Sequence, residues 1–221
     1  TKLRQASKNN LRFIKYMILL FDFDRTLIDT EKFKRVLSDI FGLSVKEYDL
    51  QVDKFFRETH IHYSPEAHIK ILRKIGHIEN TKIEKSVIGE YNKVLKQIDK
   101  CLFPETKEIL ASLKKQGHQL FLITLGAIPS QKRKIGGAGI KKYFNKIIYE
   151  SKDKTKNNFI KKLSKLNKDI LIINDKASEA LALKKILGEK AKIFLVKSPH
   201  SKNVAHKEKI HKDIRKIKKV L

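Results

Sequence analysis

Three apolar runs in this 221-residue chain lead to oxygen-bearing side chains. Residues 17–22 (Met-Ile-Leu-Leu-Phe-Asp) close on Asp22, the run Gln119–Thr124 closes on Thr124, and the run Asp169–Asn174 is followed at once by Asp175. Such runs have the pattern of buried parallel strands, and open parallel sheets bind ligands at the carboxyl ends of their strands. The first run continues as Asp22-Phe23-Asp24-Arg25-Thr26-Leu27-Ile28-Asp29, so two carboxylates stand two residues apart where a strand stops. Aspartate also ends strands and caps turns with no further role, but DxDxT directly behind a buried strand is a specific pattern. Carboxylate and hydroxyl oxygens gathered at one sheet edge have the chemistry to hold a hard cation.

Two further runs, Lys192–Val196 and the weaker Lys146–Tyr149, complete a set of five predicted strands. Helical stretches lie between them: Thr106, Ile109, Leu110 and Leu113 share one face, as do Phe159, Ile160, Leu163 and Leu166, and then Ala177, Ala180, Leu181 and Leu187. This alternation predicts an α/β fold with a parallel sheet. Residues 31–100 break it, because their periodicity is helical throughout. Phe33, Val36, Leu37, Ile40 and Phe41 follow the helical rule, a second helix is predicted over Val45–Thr59, a third from Ser64-Pro65-Glu66 to Gly76, and a fourth carries Val87, Tyr91, Val94, Leu95 and Ile98. Pro104 marks the return to the sheet, and Val204–Leu221 reads as a basic amphipathic helix.

With these residues in place, the chain resembles the haloacid dehalogenase-like superfamily, whose first motif is DxDx[TV] after a hydrophobic strand. The second motif, a hydroxyl ending the next core strand, is similar to Thr124 in Phe121-Leu-Ile-Thr124-Leu-Gly126. The third, a lysine ahead of a core helix, falls in Ser151-Lys152-Asp153-Lys154-Thr155-Lys156; Lys154 is preferred for its spacing to Phe159, Ile160 and Leu163, with Lys152 and Lys156 open alternatives. The fourth resembles Asn174-Asp175-Lys176-Ala177-Ser178-Glu179, with Asn174 where many relatives have glycine and Glu179 in place of a frequent aspartate. Singly the second and third motifs are weak; four in order are specific.

The resemblance implies a Rossmann-like three-layer core of residues 1–30 and 101–221 with a parallel five-stranded sheet, and an all-helical cap over 31–100. It implies a phosphohydrolase in which Asp22 attacks a phosphate ester to form an aspartyl-phosphate. Mg²⁺ would be held by Asp22, the backbone carbonyl of Asp24 and Asp175, with Glu179 reaching it through water. Asp24 would serve as general acid and then base, with its pKa raised, and Thr124 and Lys154 would bind the phosphoryl oxygens, helped by backbone amides near Phe23 and Gly126. Dehalogenation on the same scaffold is disfavoured, since relatives that perform it lack the acid at the position of Asp24. A phosphomutase remains an alternative. Substrate choice would sit in the cap, where Phe33, Tyr48, Arg57 and His60 are candidate contacts.

The formal net charge is +26, carried mostly by lysines from Lys2 to Lys219. A nucleic-acid site would concentrate arginine and interleave aromatics, so most of this charge reads as solvated surface. A basic nucleic-acid-binding protein or nucleic-acid phosphatase is the alternative. A small phosphorylated substrate is the favoured partner, and oligomeric state is not legible. Hydrophobic residues make up 41%, enough for a core and unlike a disordered chain. No apolar stretch approaches the ~20 residues of a membrane span, and no secretory signal follows the basic start, so a cytoplasmic, non-membrane protein is expected. Cys101 is the single cysteine and reads as structural. His60, His62 and His68 read as surface histidines, and Gly136-Gly137-Ala138-Gly139 as a helix terminator, not a phosphate loop.

Overall fold

A computed structural model describes residues 16–59, 62, 64–76, 81–201, 209–219 and 221. The expected strands form as β1 (Ile18–Phe21), β2 (Gln119–Leu125), β3 (Lys146–Glu150), β4 (Ile170–Asn174) and β5 (Ala191–Val196), and a short β6 (Ile210–His211) joins them. All neighbouring pairs are parallel, in the order β3-β2-β1-β4-β5-β6. The chain therefore builds outward from β1 to β3, then returns to the other side of β1 and builds outward again. The point of reversal, between β1 and β4, is where such sheets open a crevice at their carboxyl edge.

Both faces of the sheet are covered, which is why β1 and β4 are buried at every position and apolar at all but Asn174, rather than at alternate ones. Leu19, Phe21, Leu171 and Ile173 face one core, shared with α5 (Thr106–Lys115), α6 (Ile128–Gly137) and the helices that follow β1. Ile18, Leu20, Ile170 and Ile172 face the other, under α7 (Asn158–Ser164) and α8 (Ala177–Leu187). Helices on both sides of a parallel sheet give the three layers expected.

Between β1 and β2 lie α1 (Thr30–Ile40), α2 (Val45–Thr59), α3 (Pro65–Lys74) and α4 (Thr81–Lys96). Their starts are set by local chemistry. Asp29 caps α1 by accepting from the Lys32 N–H at 2.9 Å. Ser44 and Glu47 form a reciprocal box at α2, the Glu47 carboxylate accepting from the Ser44 N–H at 2.8 Å and the Ser44 hydroxyl from the Glu47 N–H at 3.2 Å. Ser64 caps α3, with Pro65 in the first turn. The chain enters and leaves this insertion at one place, where the Asp29 N–H donates to the Cys101 carbonyl at 2.8 Å and the Phe103 N–H to that of Leu27 at 3.0 Å. Among the described residues no helix is long and apolar enough to cross a membrane.

Two expectations are corrected. The C-terminal stretch, as far as it is described, is not an amphipathic helix: β6 pairs with the outer edge of β5, and Ile214–Lys219 forms a 3₁₀ helix. An open strand edge offers unpaired backbone groups that a short strand can satisfy. Asp213 then starts the tight turn by accepting from the Arg215 N–H at 2.9 Å, and the three-residue spacing of buried Ile214 and Ile217 suits a 3₁₀ turn. Residues 204–208 and 220 of that stretch lie outside the described residues, as does His60. His68, expected on the surface, is 1% exposed; it bonds Gln51 at 2.6 Å and packs against the rings of Phe41 and Tyr48. The glycine cluster does end a helix, α6, with Gly139 in the left-handed region at φ 67°.

Gly137 is required by a close approach instead. A Cβ there would lie 1.9 Å from the backbone oxygen of Leu95 in α4. Replacing a helical glycine by alanine normally stabilises by about 1 kcal/mol. Gly137→Ala should do the opposite, lowering the unfolding free energy in urea by about 1–3 kcal/mol through overpacking. A gain in stability would mean that α6 and α4 are not in contact here.

Candidate active site

At the end of β1 the backbone stays in the sheet for one more residue, the Asp22 N–H donating to the Ile173 carbonyl of β4 at 2.8 Å. The chain then turns tightly: the Phe23 carbonyl accepts from the N–H groups of Thr26, Leu27 and Ile28 at 3.3, 2.9 and 3.3 Å. Arg25 takes the left-handed conformation, φ 57°, and is held there by its N–H to the Thr30 hydroxyl at 2.9 Å and by its guanidinium to Glu31 at 2.9 Å. Asp175 follows β4 directly, so the two adjacent strands deliver Asp22 and Asp175 to the same crevice.

Lys154 reaches that crevice from the turn after β3. Asp153 organises the turn, its carboxylate accepting from the N–H of Thr155 at 2.8 Å and from its hydroxyl at 2.6 Å. Lys154, 3% exposed, then donates to Asp22 at 2.6 Å and to Glu179 at 2.6 Å. Lys152 and Lys156 point to solvent. Glu179, in the first turn of α8, also accepts from the Asn174 amide at 2.7 Å. The asparagine at that position thus orients the longer glutamate arm. Thr124, 1% exposed near the end of β2, stands at the same sheet edge, with no hydrogen-bond partner for its hydroxyl.

Asp24 lies across the crevice against α6, which no motif pointed to. Lys134 donates to its Oδ1 at 2.6 Å and Gln131 to its Oδ2 at 2.8 Å. Burial pushes the Asp24 carboxyl up, but these two donors and Arg25 outweigh it and hold it below the usual carboxylate range. The expectation of a raised pKa is therefore corrected: it weighed burial and neighbouring carboxylates without the buried ammonium. Gly126 is corrected too, since its N–H is taken by the Glu150 carbonyl at 2.8 Å. Gln131 and Lys134 are three apart on one helix face, a spacing that could have flagged them, but lysine is too frequent in this chain for that signal to stand out.

A cavity of about 430 Å³ connects these groups with the helical insertion. Asp22, Asp24, Lys154 and Asp175 lie on its core side, and Phe33, Leu37, Tyr48, Val52 and Tyr91 on the insertion side. Of the candidate substrate contacts, Phe33 and Tyr48 line it; Arg57 is exposed on α2 and does not.

Three carboxylates, those of Asp22, Asp175 and Glu179, crowd one ammonium. Burial, Glu179 and Asp175 push Asp22 up to about 7 against the pull of Lys154. Asp175 is likewise raised by burial, and its Oδ2 is buried without a hydrogen-bond donor. A buried carboxylate oxygen with no donor, in a cluster whose negative charge exceeds its positive charge, fits a hard divalent cation. Among the described residues no three His, Cys, Asp or Glu side chains form a ready ligand set. An ion held by Asp22, Asp175 and the Asp24 carbonyl would keep several waters, as Mg²⁺ does.

Burial disfavours the Lys154 charge, but Asp22 and Glu179 outweigh it and raise its pKa. Lys154→Met would leave both carboxylates buried without their cation, so the metal-free protein should lose about 3–5 kcal/mol of stability at neutral pH. Removing the ammonium pushes the folded-state pKa of Asp22 still further above its unfolded value of 3.8. The unaltered protein gives up the Asp22 proton through about 7 and the variant holds it, so the deficit grows as pH rises through neutrality and shrinks toward acid. Urea titrations on the acid and the alkaline side of neutrality check this, and a deficit independent of pH would mean that the pair is not what Lys154 supplies.

A family model for haloacid dehalogenase-like hydrolases matches residues 19–188. A protein from Burkholderia xenovorans LB400 assigned as a haloacid dehalogenase-like hydrolase has a similar structure, with a TM-score of 0.68 at 14% identity over 92% of this chain and 95% of that one. So has one from Bacillus subtilis assigned as a HAD-hydrolase and solved with magnesium bound, at 0.57 and 13% identity over 94% and 99%. A third, from Clostridium difficile and assigned as a phosphatase, gives 0.55 and 19% over 94% and 99%. No curated protein matches by sequence. At these identities the structural likeness is one of fold; the family match spans most of the chain, and its residues include Asp22, Asp24, Thr124, Lys154, Asp175 and Glu179, so the chain belongs to the haloacid dehalogenase-like hydrolases.

Proposed function

We propose that this protein hydrolyses a small phosphate monoester, with Mg²⁺ as cofactor, through an aspartyl-phosphate on Asp22. The observation that carries the reading is the presence of Asp22 and Asp24 in the lining of one cavity, Asp22 gripped by Lys154 and Asp24 by α6. A dehalogenase needs the first carboxylate but has no use for the second. The magnesium in the Bacillus subtilis relative is consistent with the cation that Asp22 and Asp175 suit here.

The Asp22 carboxylate attacks phosphorus, an O–P bond forms, and the bond to the ester oxygen breaks. That oxygen takes a proton from Asp24 and leaves as the alcohol. A water then attacks phosphorus, Asp24 takes its proton, and the bond to Asp22 breaks to release inorganic phosphate. Bound Mg²⁺ would offset the repulsion between carboxylate and phosphate. Lys154 and the Thr124 hydroxyl stabilise the charge that grows on the phosphoryl oxygens. Lys134 and Gln131 keep Asp24 ionised as the site stands, the form needed for the second step. The proton for the first must come with substrate, and a phosphate ester, whose second pKa is about 6, can bring one as its monoanion. The helical insertion acts as the cap that excludes bulk water.

The test is release of inorganic phosphate from a panel of phosphomonoesters, with and without Mg²⁺. Turnover should require the metal, and Asp22→Asn should lower it by about a thousandfold or more. Equal rates in the two proteins would show that Asp22 is not the nucleophile. Recovery of an isomeric phosphate ester in place of free phosphate would favour a phosphomutase.

A further inference from the structure

The acid/base carboxylate is held by more than its own loop. Asp24 has both oxygens engaged by side chains of α6: Oδ1 by the Lys134 ammonium at 2.6 Å and Oδ2 by the Gln131 amide at 2.8 Å. Gln131 is itself fixed, since its amide nitrogen also donates to the Leu125 carbonyl at 3.0 Å. Two acceptors around one atom identify it as the nitrogen. Gln131 packs over Gly126, where a Cβ would lie 2.7 Å from that nitrogen, so a side chain at 126 would displace the amide from its present place. Lys134 is 9% exposed, and its ammonium lies 5.5 Å from the centre of the Phe23 ring. A lysine so enclosed is not a solvated surface charge like most in this chain.

We infer that Lys134, supported by Gln131, is the positioning residue of the acid/base Asp24, fixing its carboxylate over the scissile bond while leaving the nucleophile untouched. The inference rests on the phosphatase reading and deepens it. Proton transfer from a positioned group contributes about 10²–10⁴-fold, and that gain depends on geometry. Lys154 cannot substitute for Lys134, because it is bound to Asp22 and Glu179. The same helix carries Arg133, whose guanidinium pairs with Glu66 of α3 and lies 5.3 Å from the centre of the Tyr91 ring of α4. The element that aims Asp24 is thus also gripped by the insertion.

The two chemical steps separate this role from others. With p-nitrophenyl phosphate the leaving oxygen departs as a stable phenolate without a proton, so forming the aspartyl-phosphate does not need Asp24. Its hydrolysis does. Lys134→Met should therefore lower steady-state kcat about a hundredfold with KM within about threefold, while still releasing a rapid burst of about one p-nitrophenol per protein. On an alkyl phosphate, whose alkoxide needs the proton, the first turnover should slow as well. Lys134→Arg, which keeps a cationic donor, should recover most of the loss. The burst also counts folded sites, so misfolding cannot mimic the result.

A raised KM with kcat intact would assign Lys134 to substrate binding. Loss of the burst along with kcat would make it structural, and full activity would make it dispensable; each overturns the inference. If the unaltered protein turned over neither ester, or Asp22→Asn turned them over equally fast, the phosphatase reading would fail first and this role with it.

Discussion

A buried ammonium between two carboxylates sets the terms for the rest of the structure. Each ion taken out of water costs several kcal/mol even after relaxation, and only close, multiple contacts offset that. Lys154 meets the condition with two charge-assisted bonds of 2.6 Å, to Asp22 and Glu179. The strand order makes the meeting possible. Because β4 lies beside β1, Asp22, Asp175 and Glu179 come from neighbouring chain ends at one crevice, and the turn after β3 delivers Lys154 from the far side of β2. The lysine stem is long enough to cross that gap, and the Asp153–Thr155 turn fixes where it starts. Even so the cluster keeps more carboxylates than ammonium groups, and this imbalance favours a divalent cation and a phosphoryl group arriving together.

The loop after β1 ties this cluster to the insertion. Arg25 holds a left-handed conformation that costs a non-glycine residue about 1–2 kcal/mol, and its neighbours over-determine it. Its backbone is fixed by Thr30 and its side chain by Glu31, both in the first turn of α1. Asp29 caps that same helix and pairs through its backbone with Cys101. The segment that aims Asp22 and Asp24 is therefore continuous with the one that carries the chain into the insertion. Strain at such a site persists only where surrounding contacts enforce it, and here they come from the insertion's own first helix.

How far the sequence reveals this depends on the kind of signal. Asp22, Thr124 and Asp175 are legible because a continuous apolar run of strand length has one end that matters. Lys154 was one of three lysines in five residues; the Asp-x-Thr pair at 153 and 155, a turn former, is the local feature that makes the middle one point inward. Gln131 and Lys134 lie on a helix whose neighbours are also basic, so nothing in the chain distinguishes an ammonium under Phe23 from one in water. His68 is buried rather than on the surface, as its place next to Ile69 and four residues before Leu72, both buried in the insertion core, indicates. The C-terminal isoleucines fit a period of three as well as 3.6, and only the open edge of β5 decides between them.

The contacts between insertion and core differ in kind, and that difference says where motion can occur. At the crossing, backbone hydrogen bonds join Asp29 to Cys101 and Leu27 to Phe103, and they do not depend on the insertion's tilt. At α6, beside the apolar packing of Ile135 in the core it shares with Leu95, the polar links are a partly exposed ion pair, Arg133 with Glu66, and a cation–π contact with Tyr91. Interactions of that sort are worth about 1 kcal/mol each, so they can break and re-form on a catalytic timescale. The close approach of Gly137 to Leu95 lies between these extremes, because it is tight but involves no bond. An insertion that pivots about the crossing would strain the Arg133 contacts, and the core element that carries them is the helix that holds Asp24. If Asp24 has the proposed acid/base role, opening the cavity and loosening that carboxylate would be one event, and proton transfer would be confined to the closed arrangement.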